Sequence, residues 1–268
     1  MRVFTRPLRS ASLLATLAVA ALGLTALGGC APKPNPADAD AVAEYREADD
    51  PLEPTNRVLY AVNDGIDTAV LRPLAVAYRN VVPATVRSHT HNVLTNLGQP
   101  VALFDDILSA NPRRAGDSLM RLVINTSVGV GGIFDVATDW GYPNHDTDAG
   151  LAFALWGVPE GTFLFLPILG PTNPRDTAGF AADILMDPST WVGRGPVLQG
   201  VAYGRVVLGA IDARERVLDD LDKVKAQALD PYATFRSLAR QHRTSEVNDA
   251  RRDNRRTVPA WFAQPAAP

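Results

Sequence analysis

The sequence predicts an all-α protein, a bundle of amphipathic helices joined by short irregular connections. Three observations predict this class. Asn or Asp followed by Pro recurs along the chain, and this pair is typical of helix starts. Apolar residues then recur every three or four positions, which places them on one face of a helix. Strand patterns are few, and the clearest is a short apolar run at 163–169.

The first thirty residues carry an export signal. Three arginines precede an apolar stretch at 10–24, which closes with Leu27-Gly28-Gly29-Cys30. A cysteine directly after small residues resembles a bacterial lipoprotein box, in which the thiol is acylated. We therefore predict a lipoprotein signal peptide at 1–29 and a palmitate-type acyl anchor on Cys30. The alternative is an uncleaved membrane helix with an incidental cysteine.

The mature chain is predicted to have three parts. Residues 30–49 are rich in Ala, Pro and Asp and are expected to form an acylated tether. Residues 50–243 carry the helical patterns and are expected to form one helical domain. Residues 244–268 are polar, with clustered arginines, and are predicted to be a disordered tail. Weak binding of this tail to acidic headgroups is the alternative.

Proline positions set the expected helix ends. A helix that begins at 50–53 should restart after Pro54, which lacks an N–H donor, and end before Pro73. The next helix should end near Pro100. Further helices are expected at these positions: from Asn111-Pro112, from Asn173-Pro174, over 197–228 as the longest, and from Asp230-Pro231.

Two segments in the middle of the domain do not follow the helical pattern. The glycines Gly129, Gly131 and Gly132 are interpreted as a flexible hinge or a close-packed turn, and a phosphate-binding loop is the alternative. The apolar run at 163–169 is too short to span a bilayer as a helix. It could be a buried strand, a core turn or a wedge in a membrane interface.

Charge and cysteine content exclude two classes of protein. The net charge is −3, and removal of the three arginines of the signal segment takes it to −6. Nucleic-acid binding proteins normally show a strong basic excess, so no nucleic-acid partner is expected. The single cysteine rules out an intramolecular disulfide.

The sequence contains no recognisable catalytic, cofactor or metal motif. Gly-x-Ser-x-Gly is absent, and the glycine cluster lacks the spacing of a phosphate or dinucleotide loop. His89 and His91 fall on different faces of a helix, which is poor metal geometry. The segment 145–148 is more typical of a solvated loop than of a cation site. We therefore predict a protein that is not an enzyme and uses no cofactor or metal.

Two aspartates on one predicted helix point to a different kind of site. Asp176 and Asp183 are seven residues apart and share a face of an otherwise small and apolar helix. That face is either a stripe exposed to solvent or the polar wall of an amphipathic cavity.

Several short motifs, in the same order along the chain, resemble the MlaA/VacJ lipoprotein family. The resemblance runs from about residue 50 to 243, and Thr55 stands where the family usually has an aromatic residue. The first motif contains Asp50, Pro51, Leu52, Glu53, Asn56 and Arg57. The others lie at 72–75, 92–100, 121–126, 129–137, 166–171, 175–176 and 230–232.

The resemblance implies a fold, a function and partners. Members form a helical ring in the periplasmic leaflet of the outer membrane, associated with trimeric porins. An amphipathic channel through the ring lets mislocalised phospholipid leave the outer leaflet for a periplasmic lipid-carrier protein, which maintains lipid asymmetry. By analogy, Asp176, Asp183 and Arg214 line the channel, and the glycine hinge lies near it.

Two other functions remain as alternatives. A lipoprotein scaffold could bind porins or other envelope proteins without moving lipid. An envelope hydrolase acting on lipids could use His89, His145 or Asp176. Ala31 directly after the cysteine, where Asp would retain a lipoprotein in the inner membrane, favours the outer membrane for any of the three.

Overall fold

The computed structural model describes residues 31, 33–191 and 196–252. The predicted signal peptide and Cys30 lie outside these residues, as does the chain beyond 252. The elements, in chain order, are α1 (Ala39–Ala48), α2 (Glu53–Ile66), a π-helical turn (Asp67–Leu71), α3 (Arg72–Val81), α4 (Ala84–Leu108), α5 (Pro112–Ser127), α6 (Val136–Asp139), α7 (Ala149–Leu155), β1 (Leu164–Leu166), β2 (Gly170–Thr172), α8 (Pro174–Met186), α9 (Pro188–Trp191), α10 (Pro196–Arg216), α11 (Leu218–Gln227) and α12 (Pro231–Arg252).

The prediction of an all-α architecture is confirmed, with one short hairpin as the only sheet among the described residues. The packing contacts close on themselves. Helix α3 packs against α10, α10 against α4, α4 against α7, and α7 against α12. Helix α12 then packs on β2, β1 packs on α2, and α2 continues through the π-helical turn into α3. This closed circuit is the order that a ring-like bundle requires.

Short polar side chains start several of these helices, as the sequence predicts. Asn111 accepts a hydrogen bond from the backbone N–H of Arg114 at 3.2 Å. Asn173 accepts one from the N–H of Asp176 at 2.8 Å, and Pro follows each of these asparagines. Such caps satisfy N–H groups that have no partner inside the helix.

Two prolines predicted to end helices lie inside continuous helical segments. Before Pro73 the helix widens into the π-helical turn, in which the N–H of Arg72 bonds to the carbonyl of Asp67. This wider turn lets the chain pass the proline without a stop. Pro100 lies within α4, which runs to Leu108. Asn96 before it donates to Thr126 of α5, and Asp106 after it accepts from Ser118 of α5, and this packing offsets the cost of the missing backbone bond.

Three other boundaries differ from those expected. The predicted helix over 197–228 breaks at Val217, whose backbone leaves helical geometry, so α4 is the longest helix described. The predicted tether contains α1, because an Ala-rich segment has high helix propensity. Helix α12 continues to Arg252, nine residues past the predicted domain end, and so the first part of the predicted disordered tail is helical.

The apolar run at 163–169 forms the first strand and the exposed tip of a β-hairpin, whose second strand follows at Gly170–Thr172. Leu164 pairs with Thr172 and Leu166 with Gly170. At the tip, Ile168 has a φ of 69° and is 89% exposed. Asn63 fixes this tip, because its side-chain amide donates to the carbonyl of Leu166 at 2.9 Å and accepts from the N–H of Ile168 at 2.8 Å.

A small aromatic cluster fastens the hairpin to the helices. Phe163, Phe165 and Tyr232 are buried together, with Leu59 and Tyr60 packed beside them. Tyr60 meets Phe165 edge to face, with the ring centres 5.6 Å apart. Edge-to-face contacts suit the charge distribution of aromatic rings. This cluster therefore joins α2, the hairpin and α12.

Elsewhere, the distribution of polar and apolar side chains is inverted relative to a water-soluble bundle. Large apolar side chains are exposed on α2 to α5, α8 and α10, while many charged and amide side chains are buried. The buried polar group is Asp50, Asn56, Asn96, Gln99, Asp105, Asp106, Arg114, Asp117, Ser118, Arg121, Asn125, Asn173, Arg175, Asp212, Arg214 and Glu215. None of the helices in the described part of the chain has the length and hydropathy needed to cross a membrane.

Asn56 offers a test of this polar interior. Its amide donates to Asp50 at 2.7 Å and accepts from the backbone N–H of Phe165 at 2.9 Å. We expect Asn56→Ala to lower the free energy of unfolding by about 2–4 kcal/mol, because buried groups on two other segments lose their partner. Denaturant melts followed by circular dichroism in detergent measure this. The exposed Asn80→Ala should change stability by less than about 0.5 kcal/mol, and equal effects of the two substitutions would contradict the argument.

Candidate functional site

A cavity of about 390 Å³ lies between the hairpin, α8 and α12. This volume is within the range of small-molecule sites. Part of its wall is apolar and comes from the hairpin and α8, through Phe163, Leu169, Pro171 and Phe180. The rest is charged and comes from Asp148, Glu160, Asp176, Asp183, Arg240, His242, Arg243 and Glu246. The structure therefore brings Asp176 and Asp183 to one amphipathic cavity.

Arg243 is the centre of the charged wall. Its guanidinium donates to Asp148 at 2.7 and 2.8 Å, to Asp176 at 2.9 and 3.0 Å, and to Glu246 at 2.9 Å. Arg175 donates to Asp176 at 2.9 Å from the other side. Burial by itself would raise the pKa of Asp176, but the bonds from the two arginines lower it below its usual value. Asp176 is therefore held as a carboxylate.

Asp183 is in a different electrostatic state. Its Oδ1 accepts from the backbone N–H of Ala149 at 3.1 Å, and behind it lies Asp105, which is 1% exposed. Burial, together with the nearby charges of Asp183, Asp148 and Asp106, raises the pKa of Asp105 to about 8. Burial also raises the pKa of Asp183. The buried Asp105 and the half-buried Asp183 are in contact and share a proton, because both cannot ionise at low cost.

A close approach of two backbones sets the geometry of this wall. A methyl group added to Gly179 of α8 would overlap the backbone of Gly150 in α7. Glycine at both positions lets α7 and α8 touch, which places Asp148 at the start of α7 beside Asp176 at the start of α8. Because Arg243 lies far away in the sequence, no local pattern identified it, nor did one identify Asp105 or Glu160.

Arg214, predicted by resemblance to line the same channel, lies in a separate cluster. It donates to Asp67 at 2.6 Å and to Asp222 at 3.3 Å. Lys225 also donates to Asp67, at 2.8 Å. Burial alone would raise the pKa of Asp67, and the bonds from Arg214 and Lys225 bring it below its usual value. The structure thus joins Arg214 to the π-helical turn and α11, and its channel-lining role stays a prediction.

The glycine segment forms a tight turn after α5. A methyl group on Gly129 would overlap the carbonyl oxygens of Phe134 and Asn125, and Gly132 has a φ of 93° and lies against Asn96. The carbonyl of Ile133 within this turn accepts a hydrogen bond from Asn92 of α4, at 3.1 Å. These close contacts explain why glycine is present at positions 129 and 132, where a side chain would not fit. The predicted hinge motion of Gly129, Gly131 and Gly132 stays a prediction.

The first family motif joins the two ends of the domain. The buried carboxylate of Asp50 accepts from Asn56, from Tyr232 and, at 3.0 Å, from Arg236. Arg57 donates to Asp230 at 2.6 Å. Asp50 and Arg57 therefore connect the start of α2 to the start of α12. The sequence alone does not show this contact, because the two motifs lie far apart in the chain. Glu53 is the i,i+4 partner of Arg57 at 2.8 Å, and Pro51 and Leu52 lead into α2.

The histidines considered as metal ligands or as hydrolase residues have hydrogen-bond partners within the protein. His145 Nε2 lies 2.8 Å from Asp106 Oδ2, and His91 Nδ1 lies 2.8 Å from Asp212 Oδ2. His89 Nδ1 lies 3.0 Å from the carbonyl of Ile133. Among the described residues, no group of three or more His, Cys, Asp or Glu side chains is placed to hold a metal ion.

The fold agrees with comparisons to known proteins. The family model described as MlaA lipoprotein matches residues 48–246. The chain belongs to the MlaA lipoprotein family. A solved structure described as "Structural basis for maintenance of bacterial outer membrane lipid asymmetry" superposes with a TM-score of 0.62 at 29% identity. It covers 74% of this chain and 99% of that one.

Named MlaA relatives extend over most of the chain. The "Intermembrane phospholipid transport system lipoprotein MlaA" of Haemophilus influenzae is 34% identical over 88% of this chain and 92% of its own. The protein of the same name from Escherichia coli K12 is 30% identical over 82% of this chain and 84% of its own. An uncharacterized protein of Rickettsia bellii is 34% identical over 75% and 78% of the two chains.

The raised pKa of Asp105 predicts how stability depends on pH. The folded chain holds this proton more tightly than the unfolded chain, whose Asp has a pKa near 3.8. The free energy of unfolding should therefore fall as the pH rises from about 4 toward about 8, by at most about 1.4 kcal/mol per pH unit. We expect Asp105→Asn to remove this dependence, so that the variant gains stability over the parent chain at pH 8 and little at pH 5.

Thermal melts of the two chains across this pH range measure the difference. Asp220→Asn on the exposed face of α11 is the matched control and should track the parent chain. A constant difference between Asp105→Asn and the parent from pH 5 to pH 8 would show that Asp105 does not titrate in this window.

Proposed function

We propose that this MlaA family protein is an outer-membrane lipoprotein that removes mislocalised phospholipids from the outer leaflet. The lipids pass through an amphipathic channel in the helical ring to a periplasmic carrier, which maintains lipid asymmetry. The inverted distribution of polarity carries this proposal, since a chain with apolar side chains outside and charges inside suits a lipid environment. The names of the Haemophilus and Escherichia relatives support the same function.

The arrangement matches the physical problem of moving a phospholipid. A headgroup that enters hydrocarbon loses the hydration of its charges, which is costly. A passage with a charged wall beside an apolar wall lowers that cost, because the head stays solvated while the tails stay in apolar surroundings. The cavity between α8, α12 and the hairpin has both walls. Transport by this route makes and breaks no bond, so we propose no catalytic residue.

The anchor and the partners follow from the same proposal. Acyl chains on Cys30 would hold the protein in the periplasmic leaflet, at about 0.8 kcal/mol per buried methylene. The exposed apolar side chains add further affinity for the leaflet at about 25 cal/mol per Å². The family resemblance adds a trimeric porin, against which the ring would rest, and the soluble carrier that accepts the lipid.

Removal of the gene tests the transport function. We expect outer-leaflet phospholipid and detergent sensitivity to rise several-fold in the deletion strain, since lipid that reaches the outer leaflet is no longer withdrawn. Surface labelling of aminophospholipids measures the leaflet content. The intact gene should restore it. Unchanged leaflet composition would favour the alternative in which the protein is a scaffold that binds porins without moving lipid.

Loss of the acylated cysteine tests the anchor. We expect Cys30→Ala to leave a soluble protein that does not restore the deletion strain. Fractionation of the envelope and mass spectrometry of the mature N-terminus measure location and acylation. Ala31→Ser, which keeps the cysteine, is the matched control and should remain in the outer membrane. Retention of the Cys30→Ala protein in the membrane would show that the lipid anchor is not what holds it there.

A further inference from the structure

The charges around the cavity are unequal in number. Five carboxyl side chains line it, against two guanidinium groups and one histidine. The carboxyl groups are Asp148, Glu160, Asp176, Asp183 and Glu246, and the cations are Arg240 and Arg243, with His242. The cavity therefore has an acidic surplus beside its apolar wall.

Both arginines already donate to the protein. All three nitrogens of Arg243 are engaged, because Nε donates to Asp176, Nη1 to Asp148 and Glu246, and Nη2 to Asp148 and Asp176. Arg240 donates through Nη1 to the carbonyl of Ala48 at 2.8 Å and through Nη2 to Glu160 at 3.1 Å. A phosphate binds arginine best through two parallel N–H donors. Arg243 presents no such pair without first breaking an ion pair, and Arg240 is held in an ion pair with Glu160.

Acceptors, by contrast, remain in excess. A carboxylate offers about four lone-pair positions, and Asp183 receives the backbone N–H of Ala149 and the proton that it shares with Asp105. Behind Asp183, the carboxyl oxygen Oδ1 of Asp105 is buried and receives no hydrogen bond from the described chain. Buried acceptors without a donor are rare because they lose water and gain no partner. This corner of the cavity is therefore short of donors.

We propose that the cavity selects phospholipids whose headgroup ends in a primary ammonium, such as phosphatidylethanolamine, over anionic lipids such as phosphatidylglycerol. The ammonium would donate to Asp183 and the neighbouring carboxylates, while the glycerol and upper acyl carbons lie against Leu169 and Phe180. An anionic headgroup would bring a net negative charge to an acidic wall whose arginines are occupied. This inference rests on the proposed lipid-transport function and names its substrate class.

The test compares the lipids held by the purified full-length lipoprotein with those on offer. The protein in detergent is exchanged with vesicles of equal phosphatidylethanolamine and phosphatidylglycerol content, repurified, and its bound lipids are counted by mass spectrometry. We expect enrichment of phosphatidylethanolamine by about two- to five-fold, the range of a partly exposed ion pair. The double variant Asp183→Asn with Asp105→Asn should bring the enrichment to about one-fold. Both residues are replaced because, if only one were changed, the other could still lose its proton and attract the ammonium.

Two further variants separate selection from folding. Glu160→Gln changes a residue outside the helices and releases Arg240 from its ion pair, so it should move the preference toward phosphatidylglycerol. Asp187→Asn, at the end of the same helix as Asp183 but paired with Arg205 outside the cavity, should keep the preference of the parent chain.

The outcomes distinguish this inference from the proposed function. A parent chain that holds no phospholipid contradicts both. If the protein holds the two phospholipids in the same ratio as the vesicles, the proposed transport function stands and the proposed selectivity is wrong. Enrichment that survives in both Glu160→Gln and the double variant overturns the role of these carboxylates.

Discussion

Pairing of buried charges is the constraint on which the rest of this structure depends. A helix bundle that buries arginines and aspartates loses their hydration, and only well-placed opposite charges and hydrogen bonds recover it. Arg121 shows the arrangement, since it is buried and reaches Asp135, Thr138 and the carbonyl of Tyr142 within 3.1 Å. Arg243 and Arg214 repeat it at two other places. Removal of one partner would leave the other charge without compensation, so these groups hold the helices at fixed separations.

This constraint also explains the outer surface. With its interior occupied by charged and amide side chains, the chain has no room inside for its large apolar residues, and they lie outside on α2 to α5, α8 and α10. In water such a surface would associate with other surfaces. A lipid leaflet would cover the same surface, which suits a protein that lies at a membrane. Ile124, Leu151 and Leu218 are buried exceptions. So is the small aromatic cluster of Phe163, Phe165 and Tyr232, which lies where the hairpin meets α12.

The parts of the fold that are encoded locally could be predicted, and the parts that depend on distant pairs could not. Asn111 and Asn173 cap helices through bonds to residues three positions ahead, so a short window of sequence identifies them. Pro100 inside α4 could not be anticipated, because the helix is held by its neighbours rather than by its own propensity. Asp176 and Asp183 were found because they share one helix face. Their partners Arg243 and Asp105 lie 67 and about 78 residues away in the chain, and neither belongs to a pattern that sequence alone displays.

The two aspartates also show that charge in the cavity is not fixed by composition. Asp176 is kept ionised by Arg175 and Arg243, whereas Asp183 shares a proton with Asp105 because neither has a cation at hydrogen-bonding distance among the described residues. An ammonium that reached Asp183 would supply this missing cation and release the shared proton, since binding of a cation and loss of a proton are thermodynamically linked. The same half-buried position that makes Asp183 costly to ionise without a cation therefore makes it a strong acceptor for a positively charged headgroup.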